Sequence, residues 1–134
     1  MKKQNKKKYK YEKYDLEERL INFAVLIVNL VGKLPNTYAG RHYGNQLLRS
    51  GSSPALNYAE AQAAESDADF VHKMKVCLKE LRESQVCLKI IRQAPLLTDS
   101  IVLIALKEVG ELVAIFTSSV ETTETRMLEE KTKK

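Results

Sequence analysis

Apolar residues in the first third of the chain alternate at intervals of four and three, the spacing of one face of an α-helix. They are Leu16, Leu20, Phe23, Ile27, Leu30 and Leu34. A second apolar stripe lies beside them and consists of Ile21, Val25 and Val28. A helix that is apolar over so much of its circumference is buried on more than one side. The pattern therefore predicts a subunit interface as well as a core.

The limits of this first helix follow from its flanking residues. Asp15 and Glu18 have the spacing of a capping box, which predicts a helix start at Asp15. Gly32 and Pro35 are typical of a helix end. A break with two glycines is predicted at 35–44.

The second helix is predicted from about Asn45 to Glu65 and contains a proline. Pro54 should remove one backbone hydrogen bond and kink the helix. Small residues surround it, namely Ser50, Gly51, Ser52, Ser53, Ala55 and Ala59. Such residues permit the close approach of another helix, so this stretch should pack tightly.

The third helix is predicted to start at Ser66 or Asp67, either of which can cap it, and to end near Gln93, before Pro95. Its apolar seam has the same alternation of four and three. The seam consists of Phe70, Met74, Cys77, Leu81, Ser84, Leu88 and Ile91.

The fourth helix is predicted from a cap at Thr98, Asp99 or Ser100 to about Arg126. Its seam consists of Val102, Ala105, Val109, Leu112, Phe116, Ser119 and Thr123. Four helices of roughly 20–28 residues with short connections predict an all-α fold, an antiparallel up-down-up-down four-helix bundle.

The positive charge of the 134-residue chain is concentrated at its start. The formal net charge is +5, but seven lysines and one glutamate give residues 1–13 a charge of +6. The lysines are Lys2, Lys3, Lys6, Lys7, Lys8, Lys10 and Lys13. With tyrosines between them, they could follow a phosphate backbone and stack bases, and we single out Lys6, Lys7 and Lys8. The alternative is a solvated, disordered start.

These features divide the chain into three predicted parts. Residues 1–13 form a basic, disordered tail, residues 14–127 form the four-helix bundle, and residues 128–134 form a charged, frayed end.

A basic stripe follows the side of helix 3 that lies opposite its seam, at ~100° per residue. It consists of His72, Lys75, Lys79, Arg82 and Lys89. Lys75, Lys79, Arg82 and Lys89 are the candidates for binding nucleic acid. An ordinary solvated helix face is the alternative. Val86 lies on the same side, and an exposed apolar residue there would favour a protein partner.

Polar residues of helices 2 and 3 have a structural interpretation. Asn57 and Glu60 are three apart and share a face, so they predict a hydrogen-bond network between helices. Arg49 could pair with Glu60 or with Glu83.

The sequence offers little for catalysis, cofactors or metals. His42 and His72 have no serine or cysteine at a telling spacing. Cys77 and Cys87 are ten residues apart on one predicted helix, or ~15 Å along its axis, which is too far for a disulfide. No second ligand cluster accompanies them, so zinc is not expected. The most apolar segment is shorter than the ~20 residues needed to cross a bilayer, which predicts a soluble, cytoplasmic protein.

Several short segments together resemble the bacterial four-helix-bundle family of the 23S rRNA intervening-sequence protein. They are residues 14–16 (YDL), 34–35 (LP), 46–50 (QLLRS), 53–60 (SPALNYAE), 69–74 (DFVHKM) and 78–84 (LKELRES). The resemblance covers roughly residues 14–120. It departs at Ala61, where the family usually has glycine, and at residues 79–80, where a Gly-Ser pair is common.

The resemblance implies an antiparallel bundle that often assembles as a homopentamer. A relative, the accessory variability determinant of diversity-generating retroelements, binds nucleic acid and a reverse transcriptase through basic residues. We therefore expect a non-enzymatic homo-oligomer that binds RNA or DNA by charge. The alternative is a protein–protein adaptor or scaffold for a nucleic-acid enzyme such as a reverse transcriptase.

Overall fold

In a computed structural model that describes the backbone of residues 2–133 and the side chains of residues 16–133, the chain forms four helices. They are α1 (Lys2–Lys33), α2 (Tyr38–Gln62), α3 (Asp67–Gln93) and α4 (Ile101–Thr132). Within the described backbone there is no strand. The predicted all-α fold is confirmed.

Each helix packs against the next, and α4 returns to α1. Contacts along the α2–α3 seam show that these two helices are antiparallel. Cys87 lies against the carbonyl of Tyr43, Ser84 against Ser50, and Cys77 against the carbonyl of Pro54, so numbers rise on one helix as they fall on the other.

The α1–α4 seam is antiparallel as well, as two ion pairs show. Arg19 of α1 bonds Glu108 of α4 at 2.6 Å, and Lys33 lies 3.3 Å from Asp99. The four helices therefore form the up-down-up-down bundle expected from their short connections.

The apolar seams, whose residues alternate at intervals of four and three, form the core of the bundle. The largest fully buried side chains include Phe23 of α1, Leu47 of α2, Leu81 of α3 and Phe116 of α4. Tyr58 meets Phe116 in an edge-to-face arrangement with ring centroids 5.9 Å apart. Burial raises the pKa of the Tyr58 hydroxyl to about 12.

The start of α1 differs from the prediction. The helix begins at Lys2, so the predicted capping box of Asp15 and Glu18 lies inside the helix and cannot cap it. The side chains of residues 1–15 lie outside the described residues. The division into a tail at 1–13, a bundle at 14–127 and a frayed end at 128–134 stays a prediction.

The predicted start of α2 was also wrong, because Gly40 and Gly44, which were interpreted as part of a break, lie within the helix. Thr37 caps α2, and its hydroxyl accepts a hydrogen bond from the amide of Gly40 at 3.1 Å. A Cβ on Gly40 would lie 2.0 Å from the carbonyl oxygen of Pro35, and one on Gly44 would touch Leu34 at 3.4 Å. These glycines let α2 start close beside the end of α1.

The small residues of α2 produce the tight packing that the sequence predicts. Gly51 lies against Ile27 of α1, and a Cβ there would come 2.9 Å from Ile27 Cγ1. On the α3 side, the buried Ser84 hydroxyl donates to Ser50 Oγ at 2.8 Å. Pro54 lies inside the helix, and the kink it should cause stays a prediction.

The caps of α3 and α4 follow different patterns. Ser66 caps α3 as predicted and accepts a hydrogen bond from the amide of Asp69 at 3.1 Å. At α4 the cap position is Ser100, but its side chain makes no cap bond; Asp99 accepts from the amide of Ile101 at 2.9 Å. That bond, together with Lys33, holds the pKa of Asp99 below its ordinary value. The helix continues to Thr132, beyond its predicted end at Arg126.

Candidate nucleic-acid interface

The basic stripe of α3 lies on the outer side of the bundle. Its five members are exposed, whereas Met74, Leu81 and Leu88 on the opposite side are buried. The stripe is exposed because α2 and α4 flank α3 and cover only its inner half. Charge can collect on the remaining side without a desolvation cost.

The four candidate cations of the stripe are not equivalent. Lys75 pairs with Glu124 of α4 at 3.1 Å, so a carboxylate partly neutralises its charge. Lys79, Arg82 and Lys89 make no ion pair with any side chain in the described part of the chain. These three carry the uncompensated positive charge of the α3 face.

A groove between α2 and α3 borders the stripe. The α3 side is lined by Lys79, Arg82, Glu83 and Val86 among others, and the α2 side by His42, Tyr43 and Gln46. The His42 and Tyr43 rings meet edge to face, with centroids 5.0 Å apart.

Sequence reasoning missed the α2 side of this groove because it placed residues 35–44 in a loop. The available signal was the spacing of Tyr38 and His42, which are four apart and share a helix face once α2 begins at Tyr38.

Acidic residues hold Arg49 at the edge of the same surface. Its guanidinium lies 2.9 Å from Glu80 and also donates to Glu83. Of the two partners that the sequence allowed, Arg49 therefore pairs with Glu83 and not with Glu60. The hydrogen bond and charge of Glu80, followed by those of Glu83, raise the pKa of Arg49. Arg49 is therefore a structural cation that joins α2 to α3.

The other two polar residues of α2 do not form one network. Glu60 accepts from Lys73 of α3 at 3.2 Å, which is a bridge between helices. Asn57 instead bonds Ser53 Oγ at 2.8 Å and the Ser53 carbonyl at 3.0 Å, within α2 itself. The predicted network is wrong for Asn57 because a nearby hydroxyl one turn earlier satisfies its amide.

Both cysteines are buried, free thiols. Burial raises the pKa of Cys77 to about 12, and burial also raises the pKa of Cys87. Such thiols are weak nucleophiles. Among the described residues, no group of three or more His, Cys, Asp and Glu side chains is placed to hold a metal ion.

Exposed apolar side chains occur on every helix, including Leu56 of α2 and Ile104 of α4, and two groups of them lie on the outer faces of α3 and α1. On α3, Val86 is 56% exposed, and Ile90 is one turn further on. On α1, Ile21, Val25 and Val28 are 49%, 53% and 53% exposed. The second apolar stripe predicted for α1 is thus left uncovered by the other three helices.

Two predictions concern residues or properties beyond this surface. Lys6, Lys7 and Lys8 have side chains outside the described residues, so their proposed role stays a prediction. None of the described helices is long and apolar enough to cross a membrane.

Comparisons with known proteins agree with this architecture. A solved structure of a protein with unknown function from the S23 ribosomal protein family of Bacteroides thetaiotaomicron is 30% identical. The match has a TM-score of 0.73 and covers 78% of this chain and 97% of the other. No curated protein matches. The family model of the 23S rRNA-intervening sequence protein matches residues 12–118. The chain therefore belongs to the 23S rRNA-intervening sequence protein family.

Proposed function

We propose that this protein is a non-enzymatic homo-oligomer that binds RNA or DNA through the outer face of α3. The observation that carries the proposal is the row of exposed cations Lys79, Arg82 and Lys89, which lack carboxylate partners among the described side chains. Phosphates would supply the missing negative charge and release counterions on binding. The family's name connects relatives with 23S rRNA, so RNA is the first ligand to test.

Lys75 contributes less to this mechanism than the other three. Its bond to Glu124 must break or be shared before it can neutralise a phosphate, although such exposed pairs are worth only about 0–1 kcal/mol. We expect phosphate contacts to fall mainly on Lys79, Arg82 and Lys89.

Oligomerisation is supported by the exposed apolar stripe of α1. Ile21, Val25 and Val28 are spaced by four and three, so they form one continuous strip along the helix. A second subunit would cover this strip, and pentamers are implied by the family resemblance. Several copies of the α3 face on one assembly would then bind a long nucleic acid with avidity, although each copy binds weakly.

The first test is the mass of the purified protein by light scattering, with and without a short RNA, at low and physiological salt. We expect an oligomer that retains RNA at low salt and loses it steeply as salt rises. Unchanged binding between the two salt concentrations would rule out the phosphate mechanism. A monomer would rule out the assembly.

A charge reversal locates the contact. The triple variant Lys79→Glu, Arg82→Glu and Lys89→Glu should weaken RNA retention strongly, and the slope of log affinity against log salt, measured on the residual binding at low salt, should fall by about 2–3 per engaged subunit. Arg82→Glu and Lys107→Glu each change the net charge by the same amount, so Lys107→Glu, at an exposed cation of α4 on another face, is the matched control for the single reversal Arg82→Glu. Equal losses in Arg82→Glu and Lys107→Glu would mean that overall charge matters and the α3 face does not.

A protein–protein adaptor is the second candidate, and the exposed Val86 favours it. An apolar side chain among cations would suit a nucleic-acid enzyme such as a reverse transcriptase that presents its own apolar patch. The quadruple variant Lys75→Glu, Lys79→Glu, Arg82→Glu and Lys89→Glu separates the two functions. It should abolish nucleic-acid retention and spare an apolar protein contact.

A further inference from the structure

We infer that the groove between α2 and α3 is specific for single strands, with phosphates on α3 and bases stacked on Tyr38 and His42 of α2. This inference rests on the proposed function, since it names the form of nucleic acid that the same surface accepts. It begins from the groove, whose α3 side carries Lys79, Arg82 and the carboxylate of Glu83, which Arg49 neutralises, and whose α2 side carries the rings of His42 and Tyr43.

The two sides of the groove present different chemistry to a ligand. Lys79 and Arg82 offer an ammonium and a guanidinium that lack ion-pair partners among the described residues. On the α2 side, about two to three turns along the groove, His42 is exposed and its ring is oriented by the edge-to-face contact with Tyr43. A nucleotide has the same division between a charged phosphate and a flat apolar base.

Tyr38 does not line the groove itself but lies one helical turn before His42 on α2. It is the first residue of α2, four before His42, and it is 83% exposed. Residues four apart lie about 5–6 Å from each other on a helix surface, so neighbouring bases of an extended strand can each reach a ring. Exposed aromatic rings of this kind are the stacking platforms of proteins that bind single strands.

A duplex cannot use these rings. Its bases are paired and stacked on one another, and only phosphates and groove edges face the protein. We therefore expect Tyr38 and His42 to contribute to single-strand affinity alone, whereas Lys79 and Arg82 contribute to both forms.

The test compares three probes of one sequence with the full-length protein by fluorescence anisotropy. They are a labelled RNA strand of about 12 nucleotides, the same strand annealed to its complement, and a strand of equal length with abasic sites at its centre. We expect the intact single strand to bind tightest. The abasic strand keeps its phosphates, so its loss of affinity measures stacking directly.

Alanine and phenylalanine substitutions assign the effect to the rings. Tyr38→Ala and His42→Ala should each weaken the intact single strand about fivefold or more and leave the duplex unchanged. Tyr38→Phe and His42→Phe should keep the affinity, because each retains a flat ring. Both positions are exposed, and Thr37 still caps the helix, so the variants should remain folded.

Each result separates this inference from the proposed function. Equal affinity for strand and duplex, with no effect of the alanine variants, would overturn stacking and leave phosphate binding intact. A loss in His42→Phe as large as in His42→Ala would also overturn it. If the wild-type protein binds none of the probes, the proposed function fails as well. Lys79→Glu with Arg82→Glu should weaken strand and duplex together.

Discussion

The close contact of Gly51 with Ile27 allows a quantitative test of how α1 and α2 pack. An alanine at position 51 would place its Cβ 2.9 Å from Cγ1, 3.0 Å from Cγ2 and 3.2 Å from Cβ of Ile27. These atoms lie near the backbone of a fully buried residue, so they cannot swing away. Relief requires the two helices to separate.

Two opposing terms decide the size of the effect. Replacing glycine by alanine inside a helix gains about 1 kcal/mol, and overpacking a filled core costs about 1–3 kcal/mol. Gly51→Ala should therefore lower the free energy of unfolding by about 0–2 kcal/mol. Gly110→Ala is the matched control within α4, because its Cβ would meet only Gln85 Nε2 at 3.9 Å. That variant should gain about 1 kcal/mol.

The assay is urea unfolding followed by far-UV circular dichroism at one protein concentration, since assembly would shift the midpoint. The steric argument also predicts which second substitution rescues Gly51→Ala. Ile27→Val keeps Cβ, Cγ1 and Cγ2, so it should give no rescue. Ile27→Ala removes both γ carbons, so in that background Gly51→Ala should stabilise the protein. Equal stabilisation by Gly51→Ala and Gly110→Ala would refute the reasoning.

Two further predictions concern the buried polar groups. Ser84→Ala should lower the free energy of unfolding by about 0.5–1.5 kcal/mol because the Ser50 hydroxyl loses its 2.8 Å partner and keeps only the Leu47 carbonyl at 3.4 Å, and Ser50→Ala in addition should restore part of the loss. A double-mutant cycle in urea measures this coupling, and additive losses would contradict it. In a Cys87→Ser variant at pH 8, burial and a pKa raised to about 12 should together make Cys77 react with Ellman's reagent at least about tenfold more slowly in the native than in the unfolded protein. The native rate should rise with pH; equal rates in both states would show that Cys77 is not buried.

The seams of helices 3 and 4 could be predicted from sequence because core positions repeat at helical spacing. Ser66 also marked the start of α3 correctly, since a serine cap acts on an amide three residues later. The start of α2 could not be found this way. Gly40 signals a turn in isolation, and only the close approach of Pro35 explains why a helix has glycine there.

The basic residues of the α3 face were predicted together from their spacing, but the sequence did not show which of them a carboxylate neutralises. The partner of Lys75 is Glu124, 49 residues later on another helix, and local sequence does not give the register between helices. The same limit applies to Arg49, for which sequence allowed Glu60 or Glu83 and the bundle adds Glu80. Charge on a helix face can be read from spacing, whereas its neutralisation depends on tertiary structure.

The mixture of charged and apolar side chains on the α3 face bears on the form of the ligand. Val86 lies one turn from Arg82 and is more than half exposed, which a surface for phosphates alone does not require. A duplex would leave Val86 facing a sugar–phosphate backbone that gains nothing from it. In the proposed complex a single strand would turn a base towards Val86 and the rings of α2 while its phosphates stay near Lys79 and Arg82, so both kinds of side chain would contribute to binding. Val86→Ala should accordingly affect the strand more than the duplex, in the same direction as the ring variants.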